Sequence, residues 1–320
     1  MHKAGLALLL AVAASTAQAQ PYPARPVRVI VAYAPGGGSD LLARLVAPRL
    51  TQEFGQQFIV DNRPGGNTLI AMQLLANAPA DGYTLGVIDT AFVINPPLMD
   101  KLPYDSARAF APVTLLATSP FVLVVHPAVA AKTVTELVAL AKAKPGQITF
   151  SSAGPGTGTR IASDQFRKAA GIEILQVPYK GGAPSAAALI GGEVNASFAT
   201  LPLMYTQIRA GRARALAVTG ARRYAQLPEA PTLAEAGYRD VTASGFWGVV
   251  APAGVPPVVV TRLNEAIARY LQTPEVRETL AQMHFEGPPP GMSVVAFGGF
   301  LKTELARWEK AVKETGAKLE

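Results

Sequence analysis

Three short stretches have the composition to hold an anion. Residues 35–38 read Pro-Gly-Gly-Gly, residues 154–158 read Gly-Pro-Gly-Thr-Gly, and residues 181–182 read Gly-Gly. Each precedes a helical pattern. The first amides of a helix have no intrahelical acceptor, and with the helix dipole behind them they attract carboxylates or phosphates. The dipole contributes ~0.3–1 kcal/mol when exposed and up to ~2 kcal/mol when partly buried. A single glycine turn can serve only to reverse the chain. Three at equivalent places favour anion binding. None is a nucleotide signature. Gly36, Gly37 and Gly38 lack the spaced third glycine of G-x-G-x-x-G, and Thr159 stands where Gly154 and Gly156 would require it. No G-x-x-x-x-G-K-[ST] loop occurs.

Signals for catalysis are thin. No H-E-x-x-H metal motif and no G-x-S-x-G elbow is present. Beyond the first twenty residues only His126 and His284 remain, and neither has a nearby partner in sequence, so both read as structural or exposed. Asp40, Asp61 and Asp89 follow or flank candidate strands and could approach one cleft, but carboxylates alone do not define a reaction. The expectation is a binding protein without catalytic residues, metal or cofactor.

The elements that must position these turns alternate. Residues 27–33 form a β-rich run, and a helix should start near Ser39 with apolar positions Leu41, Leu42, Leu45, Val46, Leu50 and Phe54. Pro48 lies inside that pattern and should kink it. Strands are expected at 58–60 and 83–88, with a helix core at 69–76 between them. A second series follows: strands at 113–116 and 121–125, a helix at 133–144, a strand at 148–151, a helix at 159–170 and a strand at 174–177. A helix ending at Ile190 and strands at 194–199 and 213–219 complete it. Residues 226–237 read as a surface loop, 246–250 as a strand, and 257–271 and 274–283 as helices. A last helix, capped by Ser293, carries Phe297, Leu301, Leu305, Trp308 and Val312 on one face, which should pack on the first lobe. Repeated β-α units imply a mostly parallel sheet with helices on its faces. Because strand, glycine turn and helix open both halves, two similar α/β lobes facing each other are expected. In such sheets ligands bind beyond the carboxyl ends of the strands.

Composition sets the compartment. Lys3, the apolar run 4–14 and Ala17-Gln18-Ala19 form the n-region, h-region and cleavage site of a secretory signal peptide spanning 1–19. No later run reaches the ~20 apolar residues of a membrane helix. The chain of 320 residues has no cysteine, which excludes disulfides, thiol chemistry and an N-terminal lipid anchor. Apolar residues make up 49%, enough for a packed core. The net charge is +7, but Arg209, Arg212, Arg214, Arg222 and Arg223 lack the interleaved aromatics of a nucleic-acid platform, so they read as solvated surface.

Several strings, in order, match a known family. They are Tyr22-Pro23-Ala24-Arg25-Pro26-Val27, Gly36-Gly37-Gly38-Ser39-Asp40, Asp61-Asn62-Arg63-Pro64-Gly65 and Pro79-Ala80-Asp81-Gly82-Tyr83-Thr84-Leu85. Leu102-Pro103-Tyr104-Asp105, Ser152-Ala153-Gly154, Val177-Pro178-Tyr179-Lys180-Gly181 and Pro231-Thr232-Leu233-Ala234-Glu235-Ala236-Gly237 follow. From Tyr22 to about Ala317 the chain resembles the periplasmic receptors of tripartite tricarboxylate transporters, the Bug receptors. The resemblance implies a two-lobed Venus-flytrap (periplasmic-binding-protein) fold, with lobe 1 at 22–118 plus about 222–320 and lobe 2 at about 119–221. It implies a monomer that captures a carboxylic acid, amino acid or related compound and hands it to a permease of large and small membrane subunits.

Carried over by position, the ligand contacts would come from Tyr33, Ala34, Gly37, Gly38 and Ser39 in the first lobe and from Ser152, Ala153, Gly154, Thr157 and Arg160 in the second. Tyr179 and Lys180 would flank the cleft, and Asn67, Thr90 and Thr200 join the candidate set. The chain departs from the family at Gly66-Asn67-Thr68-Leu69-Ile70, at Arg160 and Gln176 where the family usually has His, and at 186–190, which lack an Asp. Two residue-level expectations remain open. Arg160 adds a charged contact to an acidic ligand or is an exposed helix-start arginine. Asp89 receives a ligand ammonium or simply forms a turn. Competing functions are a receptor feeding a membrane sensor and a small hydrolase.

Overall fold

A computed structural model of the chain describes residues 22–99, 101–241 and 243–317. The expected signal peptide, 1–19, lies outside the described residues. Strand β1 (Val27–Val31) is almost wholly buried and lies between β2 (Phe58–Asn62) and β3 (Thr84–Asp89), parallel to both. Helix α1 (Gly38–Phe54) returns from β1 to β2 and buries Leu42, Ala43, Val46, Ala47 and Leu50. Pro48 sits inside α1 without ending it, and Gly55 stops the helix at φ 69°. Helix α2 (Leu69–Ala76) precedes β3, and α3 (Ala91–Leu98) follows it.

Strand β4 (Phe110–Val125) runs through both halves of the molecule. The sequence pattern predicts two separate strands here, 113–116 and 121–125. One strand forms, and near Pro120 it changes partners: residues 110–120 pair with β9, while 121–125 pair with β7 and β8. After α4 (Val134–Ala143) comes a second parallel group. Strand β5 (Thr149–Ser152) lies between β6 (Leu175–Pro178) and β7 (Ala196–Thr200). Helix α5 (Gly158–Ala170) links β5 to β6, α6 (Gly182–Ile190) links β6 to β7, and α7 (Leu201–Arg209) precedes β8 (Arg214–Val218). Strand β9 (Ser244–Pro252) then returns between β3 and β4. The two-lobed α/β class therefore holds. The parallel pairings are confined to the outer strands of each lobe, and the strands passing between lobes are antiparallel.

Helices α8 (Pro257–Leu271), α9 (Pro274–Gln282) and α10 (Val294–Thr315) close the chain. Helix α10 packs on α3 and β4, as expected of a first-lobe helix, but it also packs on α5 of the second half. Phe297 is fully buried under Gly248, where a Cβ would lie 2.2 Å from the ring. Truncating such a phenylalanine costs ~3–5 kcal/mol.

The sequence pattern gave no sign of α3 or α7. In α3, Pro96 and Pro97 remove donors. Burial of Phe92, Val93, Ile94 and Asn95 overrides that cost. Both helices begin directly after a threonine, Thr90 and Thr200.

Candidate functional site

Five helix starts meet at one cavity between the two halves. Its wall includes Gly38 and Ser39 at the start of α1, Thr90 before α3, Gly158 at the start of α5, Gly182 at the start of α6 and Thr200 before α7. It holds about 60 Å³ of space that the centre of a water molecule can reach. One water needs roughly 10–15 Å³ by that measure, so the enclosed space suits a handful of heavy atoms.

Several helix-start amides here lie ahead of the first intrahelical bond. In α1 that bond is Leu41 N to Gly37 O, so the Gly38 and Ser39 amides precede it. In α5, Arg160 N and Ile161 N donate to Thr157 O, leaving Thr159 N ahead of them. In α6, Ser185 N donates to Gly181 O, so Gly182 and Ala183 precede it. Other helix-start donors are already used within the protein. Gly36 N donates to Asp40 Oδ2 at 2.9 Å, and Gly158 N donates to Thr90 Oγ1 at 3.2 Å.

Aromatic rings cover much of the rest of the wall. Phe121, Phe198, Phe246 and Trp247 line it, and no lysine, arginine or histidine does among the described residues. A Cβ on Gly38 would lie 2.7 Å from Trp247 Cζ2, so glycine lets the α1 start approach the indole. Sequence reasoning missed these aromatics. Trp247 enters through the β3–β9 pairing opposite Asp89, a contact between distant parts of the chain with no local signal.

The three aspartates separate. Asp40 is buried beneath the first glycine turn. Burial opposes its ionisation, but hydrogen bonds from Arg44, Gly36 N and Asn62 outweigh that and hold its carboxyl below the ordinary value. Asp61 likewise lies low, because Arg28 and Arg63 offset its burial. Only Asp89 lines the cavity. Its Oδ1 accepts from Tyr33 Oη at 3.1 Å and from Ala91 N at 3.0 Å. Burial pushes its carboxyl up to about 6, partly countered by those hydrogen bonds. Burial and the neighbouring Asp89 push the Tyr33 hydroxyl well above its ordinary value.

Of the other candidates, Gly37, Ala153 and Thr157 also line the cavity. Thr200 Oγ1 is buried with no hydrogen-bond partner among the described residues. Asn67, Gly154, Tyr179 and Lys180 line an adjoining cavity of about 220 Å³, and Tyr33 and Ala153 line both. Ala34 presents its backbone to Gly181, and Ser152 is fully buried behind the turn. Arg160 is not brought to the cavity. Its Nε lies 2.9 Å from Asp164 Oδ2, one turn along α5, where a buried carboxylate requires a cation. The expected charged contact is thus directed along the helix. The histidines carry no site: His284 is buried with its ring 3.7 Å from that of Tyr205, and His126 accepts from Ala128 N.

Asn67 closes the gap between lobes. Its Oδ1 accepts from Gly156 N at 3.0 Å, and its Nδ2 donates to Asn95 Oδ1 at 2.6 Å. Asn95, fully buried, donates back to Asn67 O and Thr68 Oγ1. Asn67 and Thr68 are held at φ 51° and 72°, a left-handed pair that Asn95 fixes. Asn95 was not among the expected site residues, because it lies on the unforeseen α3.

A two-lobed α/β fold with helix starts converging on an interlobe cavity defines a solute-binding receptor architecture. Residues 42–317 match the tripartite tricarboxylate transporter family receptor. The chain belongs to that family, the Bug receptors. It is 35% identical to the protein BugT of Bordetella pertussis, covering 98% of this chain and 97% of that protein. Among solved structures, the R. palustris protein Rpa4515 with adipate has a TM-score of 0.89 and 35% identity, covering 93% of this chain and 100% of that one. MatC from Rhodopseudomonas palustris with bound malate has a TM-score of 0.86 and 28% identity, covering 91% of this chain and 100% of that one. No helix among the described residues is long and apolar enough to cross a membrane.

Proposed function

We propose that this protein is a periplasmic receptor that closes two lobes over a compact carboxylate and delivers it to the large and small membrane subunits of a tripartite transporter. The observation that carries this reading is the meeting of five helix starts in an aromatic-walled cavity that, among the described residues, has no basic side chain. Amides and helix dipoles can hold a carboxylate there, and the apolar wall can cover its carbon body. The related structures with adipate and with bound malate support the ligand class.

The lobes are residues 22–118 with about 222–320, and about 119–221. The change of partners along β4 near Pro120 supports that division. Closure rests on a ligand that binds the closed form better than the open one. The chain acts without catalysis as a monomer, and residues 1–19 direct its export.

A thermal-shift screen of short mono- and dicarboxylates, hydroxy acids and amino acids tests this reading. A ligand at 100 times its Kd adds ~2.7 kcal/mol of stability. A broad panel that leaves the transition unmoved would overturn it.

A further inference from the structure

We infer that Asp89 selects the ligand's second polar group, favouring a hydrogen-bond donor, hydroxyl or ammonium, over a second carboxylate. This rests on the reading that the cavity holds a carboxylate. Asp89 closes β3 and lines the same cavity as the helix starts. Tyr33 Oη and Ala91 N both donate to Oδ1, so neither bond uses Oδ2. Those two donors are committed to Asp89 and do not serve a ligand anion beside it.

Among the described residues no lysine, arginine or histidine lines this cavity; Lys180 lines the adjoining one, on the far side of Tyr33 and Ala153. From the β1 side comes Tyr33, with Tyr104 beyond it, and from β9 comes Trp247. The helix starts supply glycine, serine and threonine, including the unpartnered Thr200 Oγ1. A second ligand carboxylate at Asp89 therefore meets like charge in a poorly solvated wall, where Coulomb repulsion is weakly screened. A hydroxyl or ammonium meets an acceptor instead. Specificity of this kind comes from penalising the wrong partner as much as from rewarding the right one.

The test is calorimetric titration of the wild type and Asp89→Asn at pH 7.5. The probes are succinate, 4-hydroxybutyrate and 4-aminobutyrate, with malonate, 3-hydroxypropionate and β-alanine as a shorter series. The wild type should bind at least one donor-bearing acid about tenfold or more tighter than the diacid of equal length. Asp89→Asn keeps the Oδ1 acceptor and removes the charge. It should cut that ratio to about threefold or less, chiefly by tightening the diacid. A ratio unchanged by the substitution, or a wild type that prefers the diacid, overturns the inference while leaving carboxylate capture standing. Failure of every carboxylate to bind overturns both.

Discussion

The side-chain oxygen of Asn67 accepts a hydrogen bond from the backbone amide of Gly156, 89 residues away and in the opposite lobe, at 3.0 Å. The glycine-rich turn of the second lobe is thus capped by the first. A few residues on, Thr90 does the same for Gly158. The helix-start amides of the second lobe are divided between lobe closure and the cavity.

Asn67 should therefore act on affinity through closure. Asn67→Gly removes the side chain and tolerates the left-handed φ. One interlobe hydrogen bond is worth ~0.5–1.5 kcal/mol, so ligand affinity should fall roughly two- to tenfold. Small-angle scattering should show a more open average shape at equal ligand concentration. Unchanged affinity and shape would mean that the contact carries no closure energy.

Asn95 should act on stability instead. It is fully buried and holds the Asn67–Thr68 turn by three hydrogen bonds. Asn95→Leu leaves the Asn67 carbonyl and amide without that partner. The expected loss is ~1–3 kcal/mol or more, read as a lower urea midpoint with an unchanged slope.

The two neighbouring glycines of the first turn should respond differently. At Gly38 a Cβ would lie 2.7 Å from the buried Trp247 ring, whereas at Gly37 the nearest atom is Ala34 O at 3.8 Å. Alanine is favoured by up to ~1 kcal/mol inside a helix, but overpacking typically costs ~1–3 kcal/mol. Gly38→Ala should therefore weaken both stability and ligand binding, while Gly37→Ala should leave both nearly unchanged.

Asp89 sets a pH dependence whose sign follows from its raised value. Between the ordinary 3.8 and about 6, the folded chain holds a proton that the unfolded chain releases. Its contribution is therefore fully present below 3.8 and is lost as pH rises through about 6. The shift corresponds to about 3 kcal/mol at most. Asp40 and Asp61 have lowered values and oppose this trend, since their contribution is lost as pH falls. The difference between wild type and Asp89→Asn isolates the contribution of this carboxyl. The variant should be the more stable at pH 7.5, and its advantage should vanish near pH 4. A constant difference across that range would contradict the assignment.

Much of this arrangement was legible locally. Glycine turns after β1, β5 and β6 are short-range signals, and parallel β-α units bring such turns to the same edge of each lobe. Asp89 could be placed because it ends a recognisable strand. Helix α3 was hidden because Pro96 and Pro97 contradict helical propensity, a preference that burial reverses, whereas Pro202 stands in the first turn of α7, where proline is tolerated. With α3 went Asn95, the residue that turns Asn67 toward Gly156. Trp247 and Phe121 reach the wall through β9 and β4, whose pairings join distant segments. The direction of Arg160 was equally non-local in its signal: only the burial of Asp164 shows why the guanidinium turns along α5.

The most direct test of the whole account is a crystal structure of the protein with the tightest-binding carboxylate from the screen. One carboxylate of that ligand should lie in the interlobe cavity, with its oxygens ~2.7–3.2 Å from amides at the starts of α1 and α5 or α6. Its carbon body should face Phe121 and Trp247. A ligand bound outside this cavity, or one whose carboxylate is held by Arg160 or Lys180 with the helix-start amides unused, would contradict it.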